Sequence, residues 1–167
     1  MSRQENDEPQ LGALMLGGTQ PLLEPVGEGE LMSGLPFSGE IGMRLHGAGG
    51  SVAILSVPYD ERLIGDPQTG VMHGGVVTAL LDTACGAAVM AVPEKLESTA
   101  TLDLRIDYMR PASVGQTVFA RAECYRITRS VAFARAVAFH EGSDDLVASA
   151  AAAFVIERSA KRTKAGG

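Results

Sequence analysis

The stretch from Val71 to Val92 constrains this chain more than any other part of it. It is almost wholly apolar, it opens on His73-Gly74-Gly75, and one carboxylate, Asp82, stands in its middle. Its length alone would suit a membrane span, but His73 and Asp82 interrupt it and glycines crowd its start. The pattern therefore predicts a buried helix over roughly His73 to Val92, ended by Pro93. Ala79, Ala84, Gly86, Ala87, Ala88 and Ala91 leave it small and apolar on most sides, and such a helix has to be surrounded by protein.

The rest of the chain supplies strands to surround it. Leu102, Leu104, Ile106 and Tyr108 alternate with Asp103, Arg105 and Asp107 at the period of a half-buried strand, closed by Arg110-Pro111. Three further runs, about Gln116 to Ile127, Ser130 to His140 and Leu146 to Glu157, are joined at Thr128-Arg129 and at Glu141-Gly142-Ser143-Asp144-Asp145. Connections that short make the meander antiparallel. Upstream, Glu40 to His46 and Ser51 to Val57 flank Gly47-Ala48-Gly49-Gly50 and read as a first hairpin. Ala132, Ala134, Ala136 and Ala138 line one face of a strand and Ala148, Ala150 and Ala152 one face of the next, so a helix can come close. The expected fold is α+β, with one long central helix wrapped by a curved antiparallel sheet of about six strands.

At 167 residues there is material for one core. The domain is expected over residues 31–157. Residues 1–30 read as a flexible arm with a short apolar patch at Leu11 to Leu16, and residues 158–167 as a basic, fraying tail. A formal charge of −6 offers no basic surface for a phosphate backbone, which excludes nucleic acid as a partner. Met1 to Gln10 lacks the basic start and apolar centre of a secretory signal, and no membrane partner is expected. Cys85 and Cys124 lie in apolar stretches without metal or disulfide spacing, as suits buried thiols in a reducing, cytoplasmic compartment.

The chemistry concentrates at the helix. His73-Gly74-Gly75 opens it where backbone N–H groups have no internal partner and the helix dipole favours negative charge, so an oxyanion can be held there. Asp82, among Leu80, Leu81, Ala84 and Cys85, is costly unless paired, hydrated or used, and a general base would use it. Both features also have plain structural uses: a carboxylate can bond a neighbouring strand, and paired glycines allow tight packing. His73 is read as orienting the helix start through a ring hydrogen bond rather than as the base. Eight residues separate Gly74 from Asp82, which at ~1.5 Å per residue puts them roughly 12 Å apart. They can act on one carbonyl only if two helices lie antiparallel about a two-fold axis, so a homodimer is the minimum assembly. A nucleophile elbow, a phosphate-cradling loop and zinc-spaced ligands are all missing from the sequence, and no metal or redox cofactor is called for.

Gly70-x-x-His73-Gly74-Gly75, then Leu81-Asp82, then Tyr108-Met109-Arg110-Pro111-Ala112, resembles the phenylacetate-type hotdog thioesterases over about residues 35–157. The resemblance implies a hotdog fold and a homotetramer of two dimers hydrolysing acyl-CoA. In that scheme the Gly74 amide, beside Gly75, polarises the thioester carbonyl, and Asp82 activates water or attacks directly. It also implies a serine or threonine on the strand after the helix, for which Thr101 is the nearest match. Relatives often carry an asparagine in the loop before the histidine; here the loop reads Asp66-Pro67-Gln68, making Asp66 and Gln68 the candidates. Arg110, Arg126 and Arg129 lie near strand ends where a basic rim can meet CoA phosphates, with Arg110 and Arg129 the preferred pair. Pocket depth depends on residues such as Met90, Tyr108 and Met109. A non-catalytic acyl-CoA-binding module and a hotdog hydratase or dehydratase are the alternatives.

Overall fold

The structure is a computed structural model that describes residues 35–158. The arm expected over 1–30, with its Leu11 to Leu16 patch, and the tail beyond Arg158 lie outside the described residues. A short helix α1 (Pro36–Glu40) leads into strands β1 (Arg44–Gly49) and β2 (Val52–Val57), then a 3-10 turn at Glu61–Leu63. A small hairpin of β3 (Ile64–Asp66) and β4 (Val71–Met72) precedes the long helix α2 (Gly74–Met90). Strands β5 (Leu96–Tyr108), β6 (Val118–Ile127), β7 (Val131–Phe139) and β8 (Leu146–Arg158) complete the chain. Six strands form one antiparallel sheet in the order β1-β2-β6-β7-β8-β5, with α2 lying across it. This is the expected α+β architecture. No helix among the described residues is long and apolar enough to cross a membrane.

The small faces do what their spacing predicts. Ala120, Ala138 and Ala148 stand in register across β6, β7 and β8, as do Ala122, Ala136 and Ala150, and all six are buried. Over this carpet α2 presents Val76, Val77, Leu80, Leu81, Ala84, Cys85, Ala88 and Val89. Leu80 and Leu81 are fully buried, and burial of a leucine side chain contributes about 1.5–3 kcal/mol. The opposite stripe of the helix, through Gly75, Thr78, Ala79, Asp82, Thr83, Gly86 and Met90, is half-buried or exposed. A helix apolar on most sides is thus left incompletely covered by the described residues.

Three boundaries differ from the sequence reading. Glu40 ends α1 instead of opening a strand, because Pro36 presets the first helical turn. The glycine cluster is not itself the turn: β1 runs through Gly49, and the reversal is the two-residue loop Gly50-Ser51, both at positive φ (56° and 71°), as a type I′ hairpin requires. Strand β5 starts at Leu96, six residues before the alternating segment. Its first part, Glu97 to Thr101, has no apolar alternation, since it packs little against the core. Leu104 and Ile106 are half-buried as expected, but Leu102 and Tyr108 are 59% and 50% exposed. A bulge between Thr101 and Asp103 takes Leu102 out of register, and among the described residues β5 is an edge strand paired only with β8.

Candidate active site

The start of α2 is held by the segment before it. His73 donates its backbone N–H to the Leu63 carbonyl at 2.8 Å, and Gly65 passes so close that a Cβ there would meet His73 Cα at 2.7 Å. His73 is the N-cap, with Nδ1 accepting the Gly75 N–H at 2.9 Å, so the ring orients the helix start as its position suggested. Val76 N–H turns back to the His73 carbonyl at 2.9 Å. The Gly75 amide is therefore occupied, whereas the Gly74 N–H makes no hydrogen bond among the described residues. Gly74 lines a depression of about 350 Å³ together with Met72, Tyr108, Met109, Arg110 and Ala112.

Two hydroxyls fasten this helix start to β5: that of Thr78, to which the sequence gives no role, and that of Tyr108, expected only to set pocket depth. Tyr108 donates to the Gly74 carbonyl at 2.8 Å, and Thr78 Oγ1 lies 2.7 Å from the phenol oxygen and 3.2 Å from the same carbonyl. The available signal was Thr78 itself, a hydroxyl one turn after Gly74 in an otherwise apolar helix.

Asp82 lies two turns further on, half-buried, with Oδ1 accepting the Thr101 hydroxyl at 2.8 Å. Thr101, the strand threonine singled out by the resemblance, thus touches the carboxylate. Both line a second depression of about 390 Å³, together with Leu35, Gly86, Met90 and Phe154. One turn along the helix, burial pushes the Cys85 thiol up to about 12, with the Asp82 charge adding to the effect. Burial also raises Cys124, and the two are unreactive core thiols.

The remaining candidates scatter. Asp66 organises its own loop: Oδ1 accepts the Gln68 N–H at 3.0 Å and Oδ2 the Thr69 hydroxyl at 2.7 Å. Those bonds, the Thr69 hydroxyl first, hold the Asp66 carboxyl below the usual carboxylate range. Gln68 is exposed at the loop tip. Arg110 lines the Gly74 depression, but its Nη2 donates to Ser143 Oγ at 2.8 Å and to the Asp145 carbonyl, and Nη1 lies 3.5 Å from the Asp145 carboxylate. Its Nε is buried without a partner. Arg129 is exposed at the other end of β8, where its carbonyl accepts from Arg158. The structure therefore pairs Gly74 with Tyr108 and Arg110, and Asp82 with Thr101, in two separate depressions, and it sets Arg110 and Arg129 far apart.

Residues 69–147 match the family model described as the Thioesterase superfamily. The chain is 28% identical over 135 residues to the medium/long-chain acyl-CoA thioesterase YigI of Escherichia coli strain K12, covering 73% of this chain and 86% of that protein. A Pseudomonas aeruginosa protein of solved structure is 39% identical, with a TM-score of 0.67 over 74% of this chain and 92% of its own. The phenylacetic acid degradation protein PaaI of Thermus thermophilus, solved in a mutant form, is 27% identical with a TM-score of 0.63, covering 72% of this chain and 97% of that one.

Proposed function

The chain belongs to the thioesterase superfamily, and from that premise we propose that it hydrolyses acyl-CoA thioesters to the free acid and CoA at sites shared between two copies of the chain. The observation that carries the reading is the division of the helix into two incomplete halves. An unbonded amide at Gly74 lines one depression, and a threonine-held carboxylate at Asp82 lines another, roughly 12 Å along the axis. A second copy related by a two-fold axis sets each helix start against its partner's Asp82 and covers the open stripe through Ala79 and Gly86. The long edge strand β5, unpaired on its outer side among the described residues and bearing exposed Leu102, is the complementary surface for such a copy.

In this arrangement the thioester carbonyl oxygen accepts from Gly74 N–H of one subunit. The bond strengthens as the oxygen becomes an anion in the tetrahedral intermediate. Asp82 of the other subunit, oriented by Thr101, takes a proton from water as the water attacks the carbonyl carbon; in the variant of direct attack the carboxylate forms an acyl anhydride as the C–S bond breaks, and water then cleaves the anhydride to the acid, freeing Asp82 and supplying the thiol proton. Collapse expels the CoA thiolate, and the proton held by Asp82 restores the thiol. His73 keeps Gly74 aimed by capping Gly75. Arg110 and Arg129 are the cations proposed to meet CoA phosphates, and Asp66 and Gln68 shape the loop beside the helix start. The assembly is a dimer at least, with a tetramer of two dimers implied by the family resemblance, and the proposed compartment is the cytoplasm.

The test is release of free CoA from acyl-CoAs of short, medium, long and aryl chains by the wild-type protein and by Asp82→Asn. Turnover should fall by about 10²-fold or more in the variant, as expected when a general base is removed. A wild type inactive across the panel would favour a non-catalytic acyl-CoA-binding module, and an equally active Asp82→Asn protein would remove the carboxylate from the mechanism.

A further inference from the structure

Gly86 is a glycine in the interior of a seventeen-residue helix, where it costs about 1 kcal/mol relative to alanine. Packing among the described residues does not require it: a Cβ there would meet only Phe154 Cε1 among them, at 3.6 Å, an ordinary contact. The position lies one turn beyond Asp82 on the same helix face, and both residues open into the same depression. Its lining includes Leu35, Ala87, Met90, Ala100 and Phe154 together with Ser98 and Thr99, whose hydroxyls are already donated to Glu157 and to the Val155 carbonyl. None of its described lining residues is a cation, whereas the Gly74 depression contains Arg110. Both depressions are lined largely by apolar groups, and the difference that bears on CoA is Arg110: the cation stands with the Gly74 depression, which leaves the Gly86 side for the hydrocarbon.

We infer that the depression running from Asp82 past Gly86 to Met90 receives the acyl chain, and that Gly86 is the specificity-determining residue that lets a linear chain longer than about five carbons pass. The inference rests on the thioester hydrolysis proposed above and assigns a direction to the substrate within that site. Gly86 lies four residues, ~6 Å, beyond Asp82, and Met90 eight residues, ~12 Å. An extended hydrocarbon advances roughly 1.25 Å per carbon, from bonds of about 1.5 Å in a zigzag. A chain of four carbons or fewer therefore stops short of Gly86, and one of eight or more has to cross it, with its end near the flexible Met90 side chain.

The experiment measures kcat/KM for straight-chain acyl-CoAs of two to sixteen carbons with wild type, Gly86→Ala and Gly86→Val, and the oligomeric state of each by light scattering. Gly86→Ala raises helix propensity and fits against Phe154, so it serves as the variant certain to test a folded protein. The expected result is unchanged turnover of chains up to four carbons. For chains of eight or more, Gly86→Val should lose about tenfold or more, the discrimination that one or two misplaced methyl groups produce in an apolar slot, with a smaller loss in Gly86→Ala. A chain-length profile in Gly86→Val that parallels wild type overturns the inference and leaves the hydrolase reading standing. Dissociation of the Gly86→Ala oligomer, with all chain lengths losing activity together, also overturns it by assigning the glycine to helix packing between copies. A wild type inactive on every thioester sinks the hydrolase reading itself.

Discussion

The mechanism makes a single backbone N–H the oxyanion donor, and proline offers a way to delete that atom while keeping the fold. Gly74 is the first residue of α2, the position at which proline is best tolerated because the N–H has no helical partner. The preceding residue, His73, has φ −61° and ψ 132°, the extended conformation that a following proline demands. A Cβ at position 74 meets only the Tyr108 ring and hydroxyl, at 3.6–3.7 Å. Gly74→Pro should therefore fold with its melting temperature little changed, and lose about 10²–10³ in kcat, or 2.7–4 kcal/mol of transition-state stabilisation, the usual cost of removing one oxyanion donor. Gly74→Ala, which keeps the N–H, is the control and should lose far less. The assay is CoA release under saturating acyl-CoA. If, as proposed, each site takes its amide from one subunit and its carboxylate from the other, co-expression of Gly74→Pro with Asp82→Asn adds a sharper demand. Half of randomly mixed dimers are mixed, each with one intact site, so roughly a quarter of wild-type activity should return. A folded Gly74→Pro protein within threefold of wild type would refute the role of this amide. Failure of the mixed dimers to regain activity would refute the sharing.

Gly75→Ala puts a methyl group 2.8 Å from His73 Nδ1, so the cap must open; about 0.5–2 kcal/mol of stability should go in urea titration, together with at least tenfold in turnover. Tyr108→Phe removes the bonds to the Gly74 carbonyl and Thr78, and should cost about 1 kcal/mol and lower kcat more than it raises KM, because it disturbs the aim of the amide and leaves binding intact. A thiol reagent at pH 8 should find neither Cys85 nor Cys124 in the native protein and both in denaturant. Cys85 is raised from 9.0 to about 12 in the fold, so its contribution to stability is complete below pH 9 and is lost as the pH rises toward 12; the urea midpoint should fall over that window, and less steeply in Cys85→Ala.

The helix, the alanine faces and the meander were legible because each is a repeat with a physical period: small residues two apart on β7 and β8, and an unbroken apolar run too polar at His73 and Asp82 for a membrane. The start of β5 was not, since an edge strand packed lightly on both faces has no alternation to read, and the bulge at Leu102 is a register event invisible in composition. Of the site, the ring hydrogen bond of His73 at the helix start followed from its position, and family likeness singled out Thr101, although its bond to Asp82 is visible only in the structure. Tyr108 as a clamp did not, because its partner is a carbonyl thirty-four residues away and nothing in the sequence brings the two together. Arg110 was read as a rim charge; its bonds to Ser143 and Asp145 depend on how the β7–β8 connection folds back, which is again a long-range fact.

Strand β5 links the two halves of the proposed chemistry. Its Thr101 holds Asp82 and its Tyr108 holds Gly74, so the one strand fixes both groups to which the proposal gives chemistry, while its outer edge is the surface that the proposed dimer would use. An antiparallel pairing can slip only in steps of two residues if side chains are to keep their faces, and at about 3.3 Å per residue that is a jump of about 6.6 Å. A hydrogen bond is lost over about 0.5 Å beyond its normal length. No alternative register of such an edge pairing can therefore retain the meeting of one helix start with the other's carboxylate. Variation in the edge residues of β5 should consequently give proteins that are either fully competent or inactive, with substrate preference changed only from the walls of the two depressions.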